Sequence, residues 1–221
     1  MSGRGRMGDF AAGVRQGGRS GDSGAEGRRG WRIPSVLQQA KLLLKERLRE
    51  GSIVVDATVG NGHDTLFLAE CVGETGKVYG FDIQKEALAS AEARLSEAGL
   101  LSCVTLFHAG HERMADALPP EAKGRIQAVT FNLGYLPGGN KEVVTRPETT
   151  LQALQTSHDW LAPGGIITVV LYTGHPGGKE EENEVLQWAR NLDQKHFQVL
   201  WYRFLNQRNH PPTLLAISRN Q

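Results

Sequence analysis

Residues 53–65 read IVVDATVGNGHDT, and 20 positions after Gly62 stands Asp82, at the end of VYGFD. The β-branched run Ile53–Val55 ends in Asp56, a Gly-x-Gly turn follows at Gly60 and Gly62, and TLFLAE then reads as a helix. Strand, glycine turn, helix, second strand and terminal acid at this spacing confine the chain to a doubly wound α/β sheet. A nucleotide-type cofactor then lies at the carboxyl edge of that sheet. The glycines let the backbone approach the ligand, and Asp82 is expected to hold a ribose hydroxyl pair. A lone Gly-x-Gly carries little weight; the flanking elements and the spaced acid give it its force.

Departures from the dinucleotide fingerprint select the cofactor. Pyrophosphate binding asks for a third glycine three places after Gly62, and Thr65 stands there. Asp56, at the tip of the first strand, repels a pyrophosphate and suits a cationic ligand. S-adenosylmethionine carries an ammonium and a sulfonium, and Asp56 is expected to serve the ammonium end, directly or through water. The expected cofactor set is Asp56, Gly60, Asn61, Gly62, His63, Asp64, Thr65, Asp82 and Gln84. Gly110 and His111, in HAGHE after the third strand, join it beside the adenine. Plainer roles compete: Asp64 as a helix N-cap, His63 as a turn-fixing residue, and His111 as a surface residue at a helix start.

The remaining pattern supports the same fold. SVLQQAKLLLKERLREG places Val36, Leu37, Ala40, Leu43, Leu44 and Leu48 on a helical stripe that Gly51 ends. Strands are expected at 53–56, 78–82, 103–107, 127–132, 166–172, 197–204 and 213–219. Helices are expected at 64–71, 84–98, 111–117, 148–160 and 180–192. This alternation gives a seven-stranded doubly wound sheet. The short link NQRNHPP has no room for a crossover helix, so the last strand runs antiparallel. Residues 1–30 hold ten glycines, six arginines and three acids with almost no large apolar side chain, and read as a flexible Arg/Gly tail ahead of a domain over 31–221. That tail carries +3 and the whole chain +1, so the remainder carries −2; the domain is not basic overall and RNA binding would need a local patch.

FNLGYLPGG closes the fourth strand, beside the first in this topology. Asn132 and Tyr135 have the spacing of the N-P-P-Y motif of amino-group methyltransferases, with Leu133 and Gly134 in place of the prolines. There the Asn oxygen accepts from the amine and the aromatic ring stacks on a base, so Asn132 and Tyr135 are the catalytic candidates. A flexible aminomethyl arm suits the lost prolines. Cys71, inside a helix, and Cys103, at a strand start, are not placed as the thiolate that carbon methylation of a pyrimidine uses. Two distant cysteines also argue for a reducing compartment and against a metal or cluster site. Lys141 and Arg146 are candidate phosphate contacts, with His175 on the same rim. In VTRPETT, Thr145 and Glu148 have capping-box spacing, and Glu180–Glu182 read as first-turn acids of a helix. At the hairpin tip, Asn206, Arg208 and His210 are candidates for the substrate nucleotide.

The strings VDATVGNGHDT, GFDIQ, FNLGYLPGGNK, TRPETT and NQRNHPP resemble the bacterial "putative rRNA methylase" family of class I methyltransferases over roughly residues 33–219. The resemblance implies methylation of the amine of 5-aminomethyl-2-thiouridine at the tRNA wobble position. It also implies tRNA as partner and a cytoplasmic setting, with a homodimer left open; no window of the sequence is long or apolar enough to span a membrane, and no metal is expected. Other substrates (rRNA, a small amine), an inactive cofactor- and RNA-binding module, and an NAD-dependent oxidoreductase remain rivals at this point.

Overall fold

The computed structural model describes residues 32–136, 138–139 and 143–221. The expected tail over 1–30 and Lys141 lie outside them. The chain divides into units Met1–Ile33 and Pro34–Gln221, and every element below belongs to the second. Helix α1 (Val36–Arg47) precedes β1 (Ile53–Asp56), α2 (His63–Val72), β2 (Lys77–Asp82), α3 (Lys85–Glu97) and β3 (Val104–His108). Then come α4 (Met114–Ala117), β4 (Ile126–Leu133), α5 (Pro147–Trp160), β5 (Leu161–Leu171), α6 (Gly178–Arg190), β6 (Phe197–Tyr202) and β7 (Thr213–Arg219).

The seven strands are ordered β3-β2-β1-β4-β5-β7-β6. The first five are parallel neighbours, and β7 runs antiparallel to both β5 and β6. The order reverses between β1 and β4, which places the ligand crevice at the carboxyl ends of those two strands. The expected fold and antiparallel last strand are therefore present. Two boundaries differ by more than two residues. The helix expected over 111–117 is a 3-10 turn at His111–Arg113 followed by the short α4. Strand β5 begins five residues early, at Leu161, directly after α5.

Period-two alternation sends successive side chains to opposite faces. Val55, Val129, Ile167 and Leu215 pack with Met114, Leu154 and Val185 under α4, α5 and α6. Val54, Ala128, Ile166 and Ala216 pack with Leu44, Leu68, Val72 and Leu95 under α1, α2 and α3. Central strands buried on both faces read as continuous apolar runs, which is why β1, β4 and β5 were legible. Ser35 starts α1 with a capping box, its hydroxyl accepting from Gln38 N while Gln38 Oε1 accepts from Ser35 N.

Gly62 caps α2 with φ +77°, and a Cβ there would lie 2.6 Å from the Ala91 Cα of α3. It serves helix–helix packing, where the sequence had suggested ligand approach. Gly62→Ala therefore combines left-handed strain with overpacking. It is expected to lower unfolding free energy by about 2 kcal/mol or more, measured by urea denaturation.

Candidate functional site

The turn after β1 is fastened to both neighbouring strands. Ala57 N–H donates to Thr130 O of β4 (2.9 Å), and Val59 N–H to Phe81 O of β2 (3.0 Å). Inside the turn lies Asp56, fully buried. Its Oδ2 accepts from Thr65 Oγ1 at 2.7 Å and its Oδ1 from Thr58 N–H at 3.2 Å. Asp56 and Thr65 thus face each other in the interior and, like Gly62, form no part of the cavity wall. The expectation that Asp56 receives an ammonium directly is corrected: its carboxyl group fastens the turn from within. Burial, then the charge of Asp64, pushes its pKa from 3.8 to about 7.

Above the turn opens a cavity of about 1240 Å³. On one side, Asp82 presents a carboxylate held by two backbone donors, Gly60 N–H to Oδ2 (2.8 Å) and Gln84 N–H to Oδ1 (2.9 Å). Gly60, Asn61, His63, Asp82, Gln84, Gly110 and His111 all line the cavity. Ile83 and Ala109 add apolar wall beside Asp82. His111 departs from the surface role that competed for it. It is 7% exposed, lies edge-on to Phe131 at 5.8 Å, and burial lowers its pKa, so it is neutral at pH 7. Its Nε2 has no partner among the described residues.

The other side belongs to β4 and α1. Asn132 N–H donates to Thr58 Oγ1 (2.7 Å), and its Nδ2 donates to Asp64 Oδ2 (2.9 Å). Lys41 of α1 pairs with Asp64 Oδ1 at 3.1 Å. Asp64 is therefore not an N-cap: the cap position is Gly62, and the carboxylate turns to Asn132 and Lys41. Tyr135, 40% exposed, bridges to Val144 and meets His175 edge-on at 6.1 Å, and both rings line the cavity. Arg146 lies on the same wall and is exposed.

Several sequence-based placements do not hold. Thr145 forms no capping box: Arg146 is the cap of α5, and Thr145 Oγ1 donates instead to Glu181 Oε2 (2.7 Å). Glu180 and Glu181 do stand in the first turn of α6, but Glu181 is also a buried acceptor for Thr145 and Thr150, and Glu182 accepts from Thr213 Oγ1. At the hairpin tip, Asn206 and Arg208 are exposed and off the wall, while His210 reaches it. The left-handed backbone at Asn209 and His210 (φ 65° and 50°) turns the chain there. Cys71 and Cys103 line no part of the cavity. Sequence reasoning missed Lys41, Thr58 and Tyr172. The signal for Lys41 was present: it stands four residues after Leu37 and four before Lys45, a cationic row along the edge of the α1 stripe.

The model of the family described as "Putative rRNA methylase" matches residues 78–218. The protein named "tRNA (mnm(5)s(2)U34)-methyltransferase, chloroplastic" of Arabidopsis thaliana is 38% identical over 188 residues, covering 81% of this chain and 68% of that protein. The crystal structure of a "putative rRNA-methylase" from Clostridium thermocellum superposes with TM-score 0.82 at 46% identity, covering 86% of this chain and all of that one. That of a "putative methyltransferase" from Streptococcus mutans in complex with SAH gives 0.77 at 36% identity, covering 85% and 99%.

The raised pKa of Asp56 sets a pH dependence with a definite sign. The folded protein holds this proton up to about pH 7 and the unfolded chain releases it near 3.8. Asp56 thus costs stability increasingly as pH rises through that window, about 4 kcal/mol at most, and nothing further above it. Asp56→Asn is expected to gain stability relative to the parent between pH 4 and 7 and to keep a constant difference above. Denaturant titrations at several pH values check this, and parallel curves would remove the assignment.

Proposed function

The chain belongs to the "Putative rRNA methylase" family, and from that premise we propose that it is an S-adenosylmethionine-dependent methyltransferase. Its acceptor is the amine of 5-aminomethyl-(2-thio)uridine at the tRNA wobble position, and its setting is the cytoplasm. No helix among the described residues is long and apolar enough to cross a membrane. The name of the Arabidopsis relative and the SAH in the Streptococcus structure support this reading.

The residues present fit the cofactor. Asp82 offers both carboxylate oxygens, aligned by Gly60 and Gln84, to a ribose diol. Ile83 and Ala109 offer apolar surface to a purine, and the carboxylates Asp82 and Glu112 on the wall suit a cationic ligand. S-adenosylmethionine, when bound, supplies a sulfonium-activated methyl carbon open to in-line displacement by a nitrogen lone pair.

The observation that carries the reading is Asn132. Its backbone is held by Thr58 and its amide nitrogen by Asp64, so its oxygen is the group left to accept an N–H from the acceptor amine. Accepting that bond aligns the amine lone pair, and positioning supplies most of the acceleration. Tyr135 gives a base a partly exposed ring beside it.

Asn132→Ala is expected to slow single-turnover methylation of aminomethyl-bearing tRNA roughly a hundredfold while cofactor affinity stays within about twofold. Nucleoside mass spectrometry of the treated tRNA checks the product. Full rates in the variant would leave the Asn132 segment as a structural turn only.

A further inference from the structure

A carboxamide presents a donor on one side and an acceptor on the other, and nothing in its own chemistry decides which side faces a ligand. In this site the decision is made by Asp64. An ionised carboxylate only accepts hydrogen bonds, so the Asn132 group facing it at 2.9 Å is the NH₂. The oxygen of Asn132 is thereby turned to the opposite side. Asp64 is itself held: its second oxygen pairs with Lys41 Nζ at 3.1 Å, and Lys41 lies over the Phe67 ring at 4.9 Å. Lys41, Asp64 and Asn132 come from α1, α2 and β4, and all three line the cavity.

We propose that Asp64, paired with Lys41, is a positioning residue that locks the Asn132 amide with its oxygen toward the acceptor, and so selects a nucleophile that donates a hydrogen bond. The proposal rests on the amine-methylating reading and extends it to the choice of acceptor. A neutral primary amine brings two N–H donors and one lone pair. One N–H goes to the Asn132 oxygen, and the lone pair forms the new N–C bond as the methyl C–S bond breaks toward sulfur. The product is a secondary ammonium, which releases its proton to solvent. With the amide reversed, the NH₂ of Asn132 would compete for that lone pair, and the nucleophile would be blocked by the residue meant to aim it.

Lys41 gives the pair a second property. An uncompensated Asp64 beside the acceptor would attract the substrate as its ammonium, which has no lone pair to react. The Lys41 charge offsets that attraction and holds the carboxylate against Asn132. Lys41→Met therefore weakens the lock without altering either partner of the Asp64–Asn132 bond, and serves as a second variant should Asp64→Asn fold poorly.

The test is a double-mutant cycle on Asp64→Asn and Asn132→Ala, using an anticodon stem-loop RNA that carries 5-aminomethyluridine and the same RNA with unmodified uridine. In Asp64→Asn, methyl transfer is expected to fall about tenfold, the worth of one hydrogen bond, with cofactor affinity nearly unchanged. The preference of the S-adenosylhomocysteine complex for aminomethyl over unmodified RNA, read as a ratio of Kd values, should shrink likewise. In the Asn132→Ala background, Asp64→Asn should add no further loss in either quantity, because its partner is gone. Additive losses, or a fall in cofactor affinity in both backgrounds, would overturn the proposal and assign Asp64 to the cofactor. A third readout needs no substrate: the side-chain amide protons of Asn132 in ¹⁵N-labelled protein should exchange slowly in the parent and fast in Asp64→Asn. If the parent protein transfers no methyl group to this RNA, the reading of the substrate falls, and the amide resonance still decides whether Asp64 holds Asn132.

Discussion

A single carboxylate with no access to water connects the strand tips at the crevice. Asp56 takes a hydroxyl from Thr65 and a backbone N–H from Thr58, and Thr58 in turn receives the backbone N–H of Asn132. The cofactor-side turn and the acceptor-side strand end are therefore parts of one hydrogen-bonded assembly. Unlike most buried acids, Asp56 has no cation among these partners, and its raised pKa is the outcome. Burial and the nearby charge of Asp64 favour the neutral acid, while the hydrogen bonds from Thr65 and Thr58 favour the carboxylate and only partly offset them.

From that anchor the wall divides into two chemistries. The Asp82 side is a carboxylate aligned by backbone donors and flanked by apolar surface, an arrangement for recognising a sugar and a ring. The Asn132 side is a polar chain from Lys41 through Asp64, bordered by the rings of Tyr135, Tyr172 and His175. Both sides line one cavity, so a methyl group carried on the first side is delivered to a nucleophile presented on the second.

The parts of this arrangement legible in the sequence are those that local chain geometry dictates. The spacing from Gly62 to Asp82 places an acid at the tip of β2, and Asn132 ends β4 beside the switch point, because strand length and period fix where those side chains emerge. Burial is another matter. Whether Asp56 faces ligand or interior depends on Thr65 turning inward nine residues later, and no local pattern encodes that. Lys41 is separated from Asp64 by a strand and a turn, so its role exists only once α1 docks. Thr145 and Glu148 satisfy a capping pattern, yet Glu181, from another helix, outcompetes it for the Thr145 hydroxyl. Asn206 and Arg208 look poised at a hairpin tip, but the left-handed residues Asn209 and His210 put a different side chain on the wall.

The insertion of β7 between β5 and β6 bears on how the chain acquires its structure. As the chain is synthesised, β2 to β5 can each pair with a strand already made, but β6 emerges with no neighbour until residues 213–219 follow it. Over that interval β6 is an unpaired edge bearing Val199, Leu200 and Trp201, and β5 lacks its outer partner. Such a strand is the segment most open to association with other chains. The tips of β1, β2 and β4 that carry Asp82 and Asn132 are in place before this happens, and His210, in the link after β6, joins the wall last. Assembly of those strand tips and closure of the sheet are thus separate events in time, and the second is the one that exposes the protein to aggregation.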